Sequence, residues 1–278
     1  MPPARLAPLQ PRAELRARDR ALFASDVHLH DADPDTAGAF LDALAREARG
    51  ASHLFLLGDL FEAWVGDDDA SAVGARLAGA LDALARAGKR VYLMRGNRDF
   101  LLDAAVGAAG AAGAAGAAGA QAFSARCGAT MLADPCAIVA FGTRVLLSHG
   151  DALCTDDLAY QAFRAKARSS AWQRNFLRRP RAERLEMARS LRQRSELEKA
   201  DKAAYLMDVN AAAVKRLMRA AGVRVLIHGH THRPAEHRFS LDGAPALRWV
   251  LPDWDARAGR GGMLVATRSG LQPVGRWD

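Results

Sequence analysis

The sequence contains no run of about 18 uninterrupted apolar residues, the length a helix needs to cross a bilayer, so no transmembrane span is expected. Its first twenty residues, MPPARLAPLQPRAELRARDR, carry charge but no apolar core of the kind a secretory signal requires, which points to a protein made and kept in the cytosol. Cysteine is equally scarce. Cys127, Cys136 and Cys154 are an odd number without a close pairing motif, which argues against a disulfide framework or a cysteine zinc site and leaves them as packing residues. The stretch AAVGAAGAAGAAGAAGA from 104 to 120 lacks any side chain able to catalyse and reads as a loop or frayed helix.

What is present suffices for a substantial core: half of the 278 residues are hydrophobic, which suits one large domain or a domain with an insertion. The formal net charge of +8 favours an anionic partner without separating nucleic acid from lipid headgroup or phosphate substrate. Its location is more informative. Between Arg164 and Lys202 there are thirteen Lys and Arg against five Asp and Glu, so one stretch holds the whole excess.

Short apolar runs end repeatedly in polar clusters: ALFASDVHL at 21 to 29, HLFLLGD at 53 to 59, RVYLMRGNRD at 90 to 99, RVLLSHGD at 144 to 151 and RVLIHGHTH at 224 to 232. Each reads as a buried strand delivering chemistry at its C-terminal end. Ala- and Leu-rich segments with helical spacing near 36 to 49, 70 to 87 and 208 to 221 alternate with them, which predicts an α/β fold with ligands beyond the strand ends. Toward the C-terminus, RFSL, ALRWVL and GGMLVAT read as short strands that form a second, more antiparallel sheet. The main domain is expected over 20 to 278, with residues 1 to 19 as a flexible extension and 153 to 207 as an inserted helical lid.

Asp26 and His28 lie two apart, so on an extended strand end they point to one side and can grip an ion together. Asp59 follows four apolar residues and Gly58, and the glycine lets the backbone turn closely beneath the carboxylate. Asn97 in G-N-R-D, His149 in S-H-G-D, and His228 with His230 in H-G-H-T-H complete a set of oxygen and nitrogen donors suited to a binuclear site. His30, His53 and His237 sit in no such motif and read as ordinary core or surface residues, while His232 reads as a group that orients a ligand or touches substrate.

The order D-x-H, G-D, G-N-x-D, H and H-G-H resembles the calcineurin-like metallophosphoesterases over nearly the entire chain. That resemblance implies an α/β/β/α two-sheet sandwich flanked by helices. It also implies two divalent cations, one on Asp26, His28, Asp59 and His230 and the other on Asp59, Asn97, His149 and His228, with Asp59 bridging. The donor mixture leans to Mn²⁺. Many members carry a His after the G-N pair as a proton donor, but here the residue is Arg98, which stays charged and cannot act as an acid. A phosphate leaving from an anhydride needs no proton and profits from a fixed positive charge, so Arg98 favours pyrophosphate cleavage, the alternative being a salt bridge to Asp99 or another carboxylate.

A closer resemblance, carried by S-D-V-H-L, G-D-L-F-E-A-W, G-N-R-D-F-L, S-H-G-D-A-L-C-T-D-D, Y-Q-A-F-R, M-D-V-N and H-G-H-T-H-R-P, is to the UDP-2,3-diacylglucosamine diphosphatase family of lipid A synthesis. It implies water attack on the α-phosphate of a UDP-linked diacylated glucosamine lipid, giving UMP and 2,3-diacylglucosamine 1-phosphate. It assigns catalytic roles to Asp59, Asn97, Arg98 and His149, and substrate contacts to Asn97, Arg98, Asp157, Ser195, Lys199, Lys202 and His228. Tyr160, Phe163 and Arg192 are further candidates. The family often has Asn at the place of Lys199, and the Ala/Gly repeat also departs from its pattern, though neither departure touches a metal ligand.

Within the lid, bases suit phosphates and anionic headgroups, and Phe163, Trp172, Phe176 and Leu177 offer apolar surface for acyl chains, the plain alternative being an exposed charged helix pair. The implied setting is a monomer on the cytoplasmic face of the bacterial inner membrane, with no nucleic-acid partner. A phosphoesterase acting on nucleotides or nucleic acid is the competing class, because aromatics among bases also stack nucleotides. A non-enzymatic scaffold would require lost ligands, and none is missing.

Overall fold

In the computed structural model the described residues are 13–68, 70–104, 121–201 and 208–277, and of 194–201 only the backbone is considered. Residues 1–12, the Ala/Gly repeat from 105 and Lys202 lie outside this description, as do the side chains of Ser195 and Lys199.

Two six-stranded sheets pack face to face. One contains β2 (Ala21–Ala24), β3 (His53–Leu57), β4 (Arg90–Met94) and β5 (Thr130–Leu132) in parallel, continued by β11 (Gly261–Thr267) and β12 (Gly270–Arg276). The other contains β1 (Glu14–Leu15), β6 (Cys136–Ala140), β7 (Thr143–Leu147), β8 (Val225–His228), β9 (Ala235–Leu241) and β10 (Ala244–Val250). Helices α1 (Pro34–Glu47) and α2 (Ala72–Arg86), with the short α3 (Phe123–Arg126), cover the outer face of the first sheet, and α7 (Ala211–Ala221) covers that of the second. The expected α/β/β/α sandwich is therefore present.

Sequence alternation explains the layering. Phe23, Phe55 and Tyr92 are register partners on adjacent strands, and their rings stack at 4.8 and 4.7 Å between centroids on the face that meets the second sheet. The intervening Leu22, Leu54, Leu56, Val91 and Leu93 point to the helices instead. Local signals fix the helix starts. Asp33 caps α1 by accepting the Thr36 N–H at 3.1 Å, with Pro34 in the first turn, and Asn210 caps α7, which ends on Gly222 in the left-handed region.

Two expectations change. The C-terminal strands do not make a sheet of their own: β9 and β10 join β8 in one sheet, whereas β11 and β12 extend the other beside β2. Residues 13–15, expected to belong to a flexible extension, pair in parallel with β6 and bury Ala13 and Leu15. Cys127, Cys136 and Cys154 are buried and unpaired, as packing residues should be.

Between β7 and β8 runs a helical segment made of α4 (Leu158–Ala167), α5 (Ser170–Leu177) and α6 (Arg181–Asp201). Not all of its positive charge faces water. Arg184, 1% exposed, binds the carboxylate of Asp68 and the Val65 carbonyl, and a Cβ on Gly66 would lie 2.4 Å from its Nη1. Phe176 and Leu177 are also buried, packed into the body. Arg184→Ala is expected to cost about 3 kcal/mol, because it strands the carboxylate that the guanidinium neutralises. Chemical denaturation would measure that loss, and limited proteolysis should cut within 158–201 earlier than in the parent; unchanged behaviour in both would contradict the anchoring role. Among the described residues no helix is long and apolar enough to cross a membrane.

Candidate metal centre

Every expected ligand lies at or just beyond the C-terminal end of a strand: Asp26 and His28 after β2, Asp59 after β3, Asn97 after β4, His149 after β7, and His228 and His230 at the end of β8. The local backbone is not the extended strand that the D-x-H spacing predicts. β2 stops at Ala24, and Asp26 and His28 both adopt φ 54° in the left-handed region, with buried Val27 between them. Asp59, His230 and His232 share this conformation, at φ 51°, 71° and 51°. Left-handed backbone costs about 1–2 kcal/mol at residues with a Cβ, so five such residues at one site mark strain held by its surroundings. Part of that hold is a run of hydrogen bonds, from Asp26 N–H to Gly58 O at 3.0 Å, His28 N–H to Asp59 O at 3.0 Å and Leu29 N–H to Leu60 O at 2.8 Å.

Backbones approach closely beneath the ligands. A Cβ on Gly96 would lie 2.1 Å from Asp59 Oδ1, and one on Gly229 would lie 2.1 Å from Asp26 Oδ2. Asp99 clips the two loops together by accepting N–H bonds from Gly96, Leu60 and Asp59 at 2.6, 2.7 and 3.3 Å. Burial, reinforced by the charge of Asp59, raises the Asp99 carboxyl to about 6. Gly96→Ala is expected to displace Asp59 and weaken divalent-metal affinity by about 10- to 100-fold with little change in secondary structure. Equilibrium dialysis with Mn²⁺ and circular dichroism would test this, and unchanged affinity would contradict the packing argument.

Two groups of donors converge. Asp26, His28 and His232 form one, and Asp59, His149 and His230 the other, each with ligand atoms within 4.8 Å of one another. Asn97 Oδ1 lies 2.9 Å from His149 Nε2, which is 3.5 Å from Asp59 Oδ1, and Asp59 Oδ2 lies 4.0 Å from His28 Nε2. Asp59 thus stands between the groups. The partition differs from the expected one at the H-G-H-T-H turn. His230 faces Asp59 and His149 rather than Asp26 and His28, and His232 sits 3.2 Å from His28 Nε2 and 3.4 Å from Asp26 Oδ1. His228 is fully buried behind them, with Nδ1 2.9 Å from the Gly229 carbonyl and Nε2 3.2 Å from Arg248 Nη1. The left-handed residues 230 and 232 turn the segment so that alternate histidines meet the two carboxylates.

The electrostatics fit cations. Burial alone would lower the His149 imidazole, yet Asp59, Asp26, Asp151 and Asp134 outweigh it and raise it to about 9. Burial dominates at His28 and His230, each lowered to about 4, and at His228, lowered to about 3. Asp26 is held well below the usual carboxylate range, because His232, 3.4 Å from its Oδ1, and the other surrounding imidazoles overcome its burial. Its buried Oδ1 accepts no well-formed hydrogen bond. A divalent cation suits carboxylates with spare lone pairs and neutral imidazoles aimed at common points, so these residues fit a two-cation centre.

Arg98 donates its N–H to Asp59 Oδ1 at 2.8 Å, and its guanidinium meets Glu62 at 3.1 Å. Of the alternatives of a salt bridge to Asp99 or to another carboxylate, the second is present, with Glu62, which also lies 3.2 Å from His28 Nδ1. Arg192 reaches Glu62 as well. Glu62 belongs to the G-D-L-F-E-A-W motif, whose pattern alone gives it no role. A second unforeseen residue is Asp151, fully buried, which accepts bonds from Tyr160 Oη at 2.7 Å, Arg164 Nε at 2.8 Å and Arg168 Nη2 at 3.2 Å. Arg168 also donates to the Gly96 carbonyl, tying α4 to the loop before Asn97. The acid in S-H-G-D was the available signal.

Among the expected substrate contacts, Asp157 caps α4 by accepting the Tyr160 N–H, and Tyr160 stacks 6.0 Å from His230. Phe163 is exposed, joined by Leu158, for which the sequence motifs carry no expectation. Trp172 packs between Phe100 and Phe176, so the apolar surface expected of Phe176 and Leu177 faces the core.

The family described as calcineurin-like phosphoesterase matches residues 20–234. Among curated proteins, UDP-2,3-diacylglucosamine hydrolase of Chromohalobacter salexigens is 48% identical over 86% of this chain and 90% of its own length. The protein of the same name from Aeromonas hydrophila is 46% identical over 84% of this chain and 90% of its own. That from Bordetella pertussis is 46% identical over 90% and 92%.

Proposed function

The chain belongs to the UDP-2,3-diacylglucosamine hydrolases within the calcineurin-like phosphoesterases, and from this we infer that it cleaves the pyrophosphate of UDP-2,3-diacylglucosamine, giving UMP and 2,3-diacylglucosamine 1-phosphate. The observation that carries the reaction type is Arg98, held by Glu62 beside Asp59 where a proton donor would serve an ester substrate.

Asp26, His28, Asp59, Asn97, His149, His228 and His230 would hold two divalent cations, with His232 added by its contacts to Asp26 and His28. When bound, these cations supply Lewis-acid charge and an acidified water as nucleophile, and the mixture of imidazole nitrogens with carboxylate and amide oxygens favours Mn²⁺. The chain's own residues do the rest. Asp59 joins the two donor groups, and Asp99 fixes the loops that bear Asp59 and Asn97. Arg98 presents a permanent positive charge to the phosphate that departs with the lipid, so no proton transfer to it is required. Asn97 and His228, with Asp157, Ser195, Lys199 and Lys202, are assigned to substrate contact.

The helical segment 153–207 acts as the lid. Lys166, Arg174, Arg178, Arg179 and Arg189 are exposed on it together with Leu158 and Phe163, a combination that suits anionic headgroups and acyl chains at the inner-membrane surface. The working form is taken to be a monomer on the cytoplasmic face.

The test supplies UDP-2,3-diacylglucosamine with Mn²⁺, using a simple phosphodiester and single-stranded nucleic acid for comparison. UMP release from the lipid substrate alone is expected. Rapid cleavage of the diester with the UDP-lipid left intact would overturn this assignment.

A further inference from the structure

A cavity of about 370 Å³ opens beside the metal centre, lined in part by Asp208, Arg233, His237, Val250, Arg260 and Trp277. It adjoins the centre at three points. Arg233 follows His232 directly; Val250 is the strand partner of His228; and Arg260 binds Asp253 Oδ2 at 2.8 Å, the same oxygen that lies 3.7 Å from His232 Nδ1. The helical segment meets the body elsewhere, at Val65, Asp68, Gly96, Phe100 and Asp151. The centre is thus flanked by two separate surfaces.

The cavity's chemistry differs from that of an acyl-chain site. Trp277 forms a fixed wall: its Nε1 donates to the Val274 carbonyl at 3.3 Å, its ring meets Trp249 edge-on at 5.7 Å, and a Cβ on Gly262 would lie 2.7 Å from its Cδ1. Around it stand two arginines, a histidine and one carboxylate, Asp208, which also pairs with Arg233 at 3.3 Å. An acyl chain would leave these charges desolvated, whereas a nucleotide uses all of them: a ring face for stacking, cations for phosphate and a carboxylate for sugar hydroxyls.

We propose that this cavity takes the nucleoside monophosphate half of the substrate, with the base on Trp277, the ribose toward Asp208 and the phosphate leaving past Arg233 to the metal centre. The assignment rests on the reaction proposed above and adds the place of its nucleotide. A substrate held at both ends would then straddle the centre, lipid under the helical segment and nucleotide in the cavity.

Direct binding separates the cavity from the reaction. UMP would be titrated by calorimetry into the Mn²⁺-loaded full chain and into Trp277→Ala, Trp277→Phe and Arg233→Ala, with circular dichroism checking each fold. The expected result is about tenfold weaker UMP binding for Trp277→Ala and Arg233→Ala, with most affinity kept by Trp277→Phe. Affinity for 2,3-diacylglucosamine 1-phosphate should stay within about twofold of the parent, since that product makes no stacking contact here. No UMP binding by the parent, or equal binding by all four proteins, overturns the proposal. Failure to hydrolyse the UDP-lipid would instead sink the reaction, whatever the titrations show.

Discussion

Asp59→Ala is expected to lower turnover of the UDP-lipid on the order of 10³-fold or more and to strip the protein of tightly held metal, since losing several kcal/mol of Lewis-acid stabilisation corresponds to that factor. Asp59 is 2% exposed, and its two oxygens look toward different histidines, His149 at 3.5 Å and His28 at 4.0 Å. Among the described residues no other carboxylate faces histidines of both donor groups in this way. The substitution also leaves the Arg98 N–H without its acceptor, although Asp99 still joins the 59–60 and 96 loops. The fold should therefore survive. Metal content by mass spectrometry, circular dichroism and turnover would be measured together, and near-normal turnover with retained fold would remove Asp59 from its bridging role. Asp59→Asn should fail similarly, because an amide offers one oxygen where two are used.

Arg98→Ala is expected to reduce kcat on the UDP-lipid by about 10²- to 10³-fold, the range seen when one preorganised charge donor is removed from a transition state. Metal content should stay unchanged, since Arg98 binds Asp59 through its backbone N–H, which alanine keeps. Arg98→Lys should recover only part of the loss, because a point charge on a flexible stem does not reproduce the guanidinium held by Glu62. Leaving-group dependence is the sharper readout. A p-nitrophenyl diester, whose leaving group departs as a delocalised monoanion and not as a phosphate, gains less from a fixed cation and should lose at least about tenfold less than the UDP-lipid does. Equal losses on both substrates would show that Arg98 supports the site generally and not the departing phosphate.

Much of this site was legible in the sequence because its ligands are distributed as strand endings. Buried runs such as HLFLL and RVYLM declare strands by composition, and the polar residue that follows each is conspicuous. Sheet membership was not legible in the same way. Whether GGMLVAT pairs with β2 or with β10 depends on non-local packing that short apolar runs do not encode. The left-handed backbone at Asp26, His28, Asp59, His230 and His232 was hidden for a related reason. Aspartate and histidine enter that region more readily than most residues, yet it stays uncommon even for them, and here loop-to-loop hydrogen bonds hold it.

The partners of the ligands were harder still. Glu62, Asp99 and Asp151 sit within quoted motifs, yet their roles depend on which loops the fold brings together. In the helical segment, alternation of bases and apolar residues does not distinguish a side chain facing a substrate from one facing the body. Phe176 and Leu177 turn inward, and Arg184 does so as well because Asp68 and the Val65 carbonyl wait beneath it.

Hydrolysis at one phosphorus of an anhydride is read directly by single turnover in ¹⁸O-enriched water. Attack at the α-phosphorus places the heavy oxygen in UMP, detected by the isotope shift in its ³¹P resonance, and leaves 2,3-diacylglucosamine 1-phosphate unlabelled. Label in the lipid phosphate would instead place the attack on the other phosphorus and rule out the α-phosphorus as its target.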